Sequence, residues 1–396
     1  MRQKTNNYTI PYSGIQAFFQ INFAALLGYT SVYLLDAGFD NTQIGILIAV
    51  AGIISAFLQP VIASYADKPS SPSLKRIMIT LIFLSLGMAV CLLLCYRKFM
   101  LATGLLYGLG ITILQLMTPL INSLGMETLN QKKHINFGFS RGIGSAAYAV
   151  GAYILGIVVN QNTPISIPIS MLVTFGLLLI AIVLFPFQKT RVAAKTQEKT
   201  TNNSSPLYFF KRYKRFSIVL IGCIFIYMSH ILLNTFTFQI VESKGGGSEE
   251  MGFVMALAAM LELPTMFLFG RVVKKIRCDI LFRITGIFFF LKTFATLLVP
   301  DIPTYYATQV LQMFGWALLT VACVYYVNGL MDEQDAIKGQ AYMTMTYTLG
   351  TVFGSLIGGR LLDIAGVNAM LGAASVIAGI GAVILLFASE KIKNIS

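Results

Sequence analysis

QKTRVAAKTQEKTTNNSSPLYFFKRYKR, residues 188–215, interrupts the rhythm of the chain: it is polar, basic and rich in Thr, Asn and Ser, while long apolar runs lie on both sides of it. Those runs set the class. A chain of 396 residues with 56% hydrophobic residues, 11% charged residues and a mean hydropathy of +0.74 is not a soluble protein. A membrane-crossing helix needs ~20 mostly apolar residues. That ruler gives twelve candidate spans near 12–35, 41–66, 76–95, 99–123, 136–159, 165–187, 216–241, 250–270, 279–299, 303–330, 338–361 and 366–389. Residues 188–215 therefore divide the chain into an N-terminal six-helix bundle (1–187) and a C-terminal six-helix bundle (216–396), with a linker between them. The expected fold is an all-α membrane protein whose two six-helix halves surround a central cavity, the layout of a transporter with its site near the midplane. Alternating ten-residue segments of a membrane barrel are absent.

Orientation follows from lysine and arginine in the loops. One side collects Arg2, Lys4, Lys68, Lys75, Arg76, Lys132, Lys133, KRYKR (211–215), the cluster from Arg271 to Arg277, Lys391 and Lys393. The other holds Arg97, Lys98 and Lys244 among the acids Asp36, Asp40, Glu242, Glu249, Glu250 and Asp301. Both termini are expected in the cytoplasm, with the chain multi-pass in an inner or plasma membrane. The first apolar run is too long for a cleavable signal and opens directly into a helix. The asymmetry and anionic lipid headgroups account for the net charge of +13, and no nucleic-acid partner is implied.

Several chemistries drop out. No G-x-x-x-x-G-K-[ST] loop is present for ATP, and His134 and His230, the two histidines, form no H-E-x-x-H motif. Cys91, Cys95, Cys223, Cys278 and Cys323 lie mostly inside spans without metal-like spacing and read as small packing residues. GGGSEE (245–250) lacks the preceding strand of a nucleotide site and reads as a flexible outer loop. No filter-like loop suggests a channel. Neither an enzyme nor a metal or other cofactor is expected; what remains is a secondary transporter, taken as a monomer, whose partners are a small-molecule solute, a proton and the bilayer.

The informative residues are the polar ones inside spans: Gln16, Gln20 and Asn22; Asn122 and Ser123; Arg141, Ser145 and Tyr148; His230 and Asn234; Glu262; Lys292; and Gln309, Gln312, Trp316, Tyr325 and Asn328. Amides, aromatics and a few charges converging from both halves suit a polar organic solute, because ring faces stack and amides fork onto hydroxyls. Each amide alone reads equally as a hydrogen bond between neighbouring helices. In FGFSRGIGSAAYAVGAYILGIVV (137–159), Arg141, Ser145 and Tyr148 follow at i, i+4 and i+7 and share one helix face. A charge in a spanning helix costs at least ~2.5 kcal/mol, so Arg141 faces either a watered cavity or, by snorkelling, the nearby boundary. Glu262 and Lys292 fall at depths that allow them to pair across adjacent helices, either to couple a proton to the solute or as a permanent ion pair.

The chain resembles the major facilitator superfamily over essentially its whole length, and within it the lactose permease and oligosaccharide:proton symporter branch, with phenylpropionate-type permeases close by. ASYADKPSSPSLKR (63–76) resembles the superfamily loop between spans 2 and 3, with Asp67 at the acidic position and Ser64 where glycine is usual. The corresponding place in the second half reads FGRVVKKIRCD (269–279). FGFSRGIGSAAYA resembles the span 5 stretch with a sugar-binding arginine and a stacking aromatic, which implies those roles for Arg141 and Tyr148. Lys292 falls where that branch has an arginine. LQMFGWA (311–317) resembles the span 10 stretch carrying a histidine and a proton-binding glutamate, positions held here by Gln312 and Gly315. Ala259 stands where the span 8 glutamate would be, with Glu262 less than a turn later; Asn122 or Ser123 replaces the span 4 acid.

These readings combine into a proton-coupled transporter of a small polar organic solute, a sugar or glycoside, working by alternating access. An aromatic or organic-anion permease and an efflux antiporter of amphipathic compounds are the alternatives. The expected solute site comprises Arg141, Tyr148, Ser145, Gln20, Asn122, His230, Asn234, Gln309, Gln312 and Trp316. Glu262 and Lys292 are expected to couple the proton, and Asp67 to act in gating.

Overall fold

The computed structural model describes residues 8–67, 71–130, 134–187 and 206–392. Most of the linker, with Lys68, Lys132, Lys133 and the side chain of Asp67, lies outside the described residues. Helices α1 (Thr9–Phe23), α2 (Thr30–Asp36), α3 (Asn41–Asp67), α4 (Leu74–Cys95), α5 (Met100–Asn130), α6 (Phe137–Gln161) and α7 (Ser166–Leu184) form the first part. The second comprises α8 (Pro206–Arg212), α9 (Lys214–Thr235), α10 (Thr237–Ser243), α11 (Ser248–Val272), α12 (Cys278–Leu298), α13 (Ile302–Thr308), α14 (Trp316–Leu330) and α15 (Glu333–Ala388). No β-strand occurs among the described residues. Among the described residues, ten helices are long and apolar enough to cross a membrane, or eleven when the bent pair Thr9–Gly28 and Thr30–Asp36 counts as one span.

Irregularities fall inside several expected spans. The expected 12–35 bends by 46° after a π turn at Ala24–Gly28. There the lack of a side chain at Gly28 leaves room for the Met255 methyl group. The expected 216–241 breaks between α9 and α10, and the expected 303–330 passes through a 3₁₀ turn at Gln309–Met313. The expected 99–123 continues to Asn130. The last two expected spans run together in the 56-residue α15, broken where Gly366 takes φ 75°. That left-handed conformation favours glycine.

Outward faces carry large apolar side chains such as Phe57, Leu101, Leu184 and Phe387, as a bilayer requires. Inside, the buried apolar residues form two clusters that differ at the two ends of the bundle. At the end rich in acids, Leu232, Phe236, Val254, Met255, Leu362 and Met370 pack into the same core as α1–α7. At the basic end, Phe216, Phe269, Phe282, Leu319, Tyr326 and Leu385 form a core of their own. The buried apolar core is thus shared by the two parts at the acidic end, while at the basic end the second part has a core of its own.

Candidate solute site

The centre of the second part contains a three-residue relay. Lys292 on α12 is 7% exposed, and its Nζ donates to Gln312 Oε1 over 2.5 Å. Gln312 Nε2 donates in turn to Glu262 Oε1 over 2.9 Å. An amide has one carbonyl and one NH₂, so only this orientation satisfies an ammonium on one side and a carboxylate on the other. The direct Glu262–Lys292 pair expected from the sequence does not form among the described residues: the 3₁₀ turn brings Gln312 between the two charges. Pro264, two residues beyond Glu262, removes a helix donor and leaves the Met260 carbonyl free of its usual intrahelical bond.

Beside the relay stands an aromatic wall. His230 stacks on Trp316 at 4.0 Å between centroids and 6° between planes, and meets the Phe289 ring in a T-shape at 5.7 Å between centroids. Asn234, one turn along α9, donates from Nδ2 to the His230 ring and to its carbonyl. Tyr347 on α15 meets Trp316 at 5.9 Å and Tyr227 at 5.4 Å. Lys292 acts electrostatically on His230, joining wall and relay.

Arg141 and Tyr148 approach from α6. Arg141 is reached by solvent and interacts electrostatically with Glu262 and Tyr12, and it has neither a hydrogen bond nor an ion pair among the described residues. Tyr148 is half-buried and interacts in the same way with Glu262 and Tyr347. From the helix start at Phe137, Arg141 lies ~6 Å inside the span, nearer the basic end than Glu262 at ~15 Å. Ser145 is half-buried between Arg141 and Tyr148, and Gln20 packs against Gly144 on that helix. Asn122 is half-buried and makes no hydrogen bond among the described residues.

Gln309 departs from the group. Its amide is taken up locally, by the Tyr305 carbonyl at 3.4 Å and the Thr308 hydroxyl at 3.3 Å, so it serves its own turn. The sequence does not single out Tyr227 and Tyr347, since two tyrosines among 18 in an aromatic-rich chain give no local signal. Asp67 ends α3, and its side chain lies outside the described residues.

Closure at the acidic end is polar as well as apolar. Asp363 on α15 accepts from Asn41 N at 3.2 Å, Asn41 Nδ2 at 2.9 Å, Thr42 N at 2.7 Å and Thr42 Oγ1 at 2.5 Å, capping the N-terminus of α3. Gln239 Nε2 donates to Asn41 Oδ1 over 2.6 Å, and the Tyr29 hydroxyl to the Ala152 carbonyl over 2.6 Å. Helices α6 and α11 touch where Gly156 meets Gly252, so closely that a Cβ on Gly156 would stand 2.6 Å from the Ser248 carbonyl oxygen.

A solvent-reached cation on α6, a charged relay from α11 to the 3₁₀ turn and a stacked aromatic pair on α9 and α14 are thus coupled electrostatically across the two parts. The sequence profile of the MFS_1 like family matches residues 10–371. The chain belongs to this family of major-facilitator transporters. It is a multi-pass membrane transporter and not an enzyme. It is 22% identical over 393 residues to the uncharacterized transporter YwbF of Bacillus subtilis (strain 168), covering 97% of this chain and 95% of that one. Over 381 residues it is 23% identical to a maltose permease of Geobacillus stearothermophilus, covering 93% and 91%. The crystal structure of the nucleoside transporter NupG superposes with a TM-score of 0.77 at 14% identity, covering 95% of this chain and 96% of that one.

Proposed function

We propose that the protein carries a small hydroxylated solute, a sugar or glycoside, together with a proton, by alternating access. In this reading the chain crosses the membrane twelve times as two six-helix bundles, 1–187 and 216–396. The bent pair counts as one crossing, and α15 as two, because 56 residues extend ~84 Å against a bilayer core of ~30 Å. In the same reading the basic loops lie in the cytoplasm, and the core shared at the acidic end corresponds to closure on the outer side.

The observation that carries the proposal is the Lys292–Gln312–Glu262 relay lying opposite Arg141 and Tyr148. Protonation of Glu262 neutralises the relay's acceptor end and frees Gln312 and Lys292 to bond solute hydroxyls; loss of the proton restores the chain. Arg141 offers a bidentate fork, with Ser145, Gln20 and Asn122 as neighbouring polar groups. The ring of Tyr148 and the His230–Trp316 stack, held by Asn234, supply flat faces. The likeness to a maltose permease supports the solute class.

A second reading rests on charge: Arg141 and Lys292 set two cations against the single carboxylate of Glu262, which suits an organic anion. Counterflow into proteoliposomes decides between them. Oligosaccharides and glycosides are expected to drive exchange at pH values on both sides of neutrality; exchange with aromatic carboxylates and none with sugars would replace the first reading by the second.

A further inference from the structure

Away from the proposed solute residues, at the basic end, a crevice of about 690 Å³ opens between α9, α12, α14 and the end of α15. Its volume falls within the ~300–1,000 Å³ of small-ligand pockets. Arg215, Arg283 and Lys391 line it, against one acid, Glu390. Glu390 offsets little of this charge, since its contact with Arg215 is 3.9 Å long and Arg215 is largely exposed. Arg283 is the informative member. It lies ~8 Å inside α12, where an uncompensated guanidinium is costly. The nearest carboxylate, Asp279, is held by Arg277 through Nε at 3.0 Å and Nη2 at 2.7 Å, and reaches Arg283 only at 4.0 Å. Arg283 Nη2 bonds the Ser389 carbonyl, while its Nε is enclosed without any partner. The crevice therefore has an unpartnered guanidinium donor and positive charge that its acids offset only in part.

The flank is apolar. Leu330 and Phe387 line the same crevice, and Phe387 is 83% exposed on the last turn of a helix long and apolar enough to cross a membrane. Cations at the headgroup level beside an exposed ring at the acyl level match an amphipathic anion. We infer that this crevice binds the phosphate headgroup of an anionic phospholipid from the leaflet at the basic end, with Arg215, Arg283 and Lys391 around the phosphate and Phe387 against the acyl chain. Free phosphate shares the headgroup chemistry but makes no use of Phe387.

The test uses the purified full chain and native mass spectrometry with phosphatidylglycerol, phosphatidylcholine or inorganic phosphate. Phosphatidylglycerol is expected to be retained in preference to phosphatidylcholine. Removing a cation near a lipid surface weakens attraction by about fivefold, so the double variant Arg215→Gln, Lys391→Gln should lose phosphatidylglycerol by about twenty-five-fold. Both positions are at the surface, so the variant folds without depending on Arg283. Lys274→Gln with Lys275→Gln removes the same charge elsewhere at the basic end and should leave retention unchanged. Equal retention of the two lipids, or equal losses in the two double variants, would overturn the site. Displacement of phosphatidylglycerol by inorganic phosphate would overturn the lipid as its occupant.

Discussion

Glu262 and Asp363 are both carboxylates on spanning helices, and both accept hydrogen bonds from another helix or turn, yet their partners differ in origin. Glu262 is bonded by Gln312, which in turn holds Lys292, and all three belong to the stretch from α11 to the 3₁₀ turn before α14. Asp363 is bonded by Asn41 and Thr42, which precede it by more than 300 residues and open a helix of the first part. If α1–α7 move against α9–α15, the Glu262 relay travels as a unit and the Asp363 cap is torn. On the proposed function one carboxylate answers protons and solute, and the other answers the relative position of the two parts.

The heaviest consequence falls on Glu262. Glu262→Gln keeps a side chain that can still bond Gln312 but can no longer gain or lose a proton at neutral pH. In proteoliposomes this variant should fail to accumulate solute against its gradient when a pH difference is imposed, while solute exchange continues, because exchange needs no net proton release. Accumulation at the wild-type level would remove Glu262 from coupling and leave the relay as a structural link between α11 and α12.

Next in size is Arg141. Lysine keeps the charge but not the two-pronged donor geometry. A hydrogen bond to a charged group contributes ~1.5–3 kcal/mol, so Arg141→Lys should weaken solute binding by about tenfold to a hundredfold. Calorimetric titration of the folded variant measures this, and unchanged affinity would mean that Arg141 only snorkels to the boundary, which its position ~6 Å inside α6 permits.

The sequence discloses these two residues unequally. Arg141, Ser145 and Tyr148 share a face because helical periodicity is a local property, and the spans themselves follow from length and hydropathy. Glu262 and Lys292 are legible as neighbours in depth, since depth along a helix is also a count of residues. The insertion of Gln312 is not, because it depends on a 3₁₀ turn where a continuous α-helix is the natural expectation. Asp363 is wholly hidden: its side chain meets a helix start 322 residues away, and nothing local to either end announces the other.

The smallest effect expected is at Asp363, and it tests the mechanical side of the comparison. Loss of a helix N-cap costs ~0.5–2 kcal/mol, which shifts a two-state balance by about twofold to thirtyfold. Asp363→Ala should therefore populate the state open at the acidic end without altering the solute residues themselves. Ala152 gives a distant readout: it is buried on α6 at the contact with α11, and Asp363 does not touch it. A cysteine at this position, Ala152→Cys, should react with a membrane-impermeant maleimide about twofold to thirtyfold faster when Asp363→Ala is added. Asp363→Asn, which keeps one acceptor oxygen and loses the charge, should fall between. Closure at α6 and α11 can respond to a change on α15 only if the two parts move as bodies, so faster labelling ties the Asp363 cap to that movement. A rate unchanged by either substitution would reduce Asp363 to a local cap on α3 and leave the apolar packing and the glycine crossing to hold the acidic end closed.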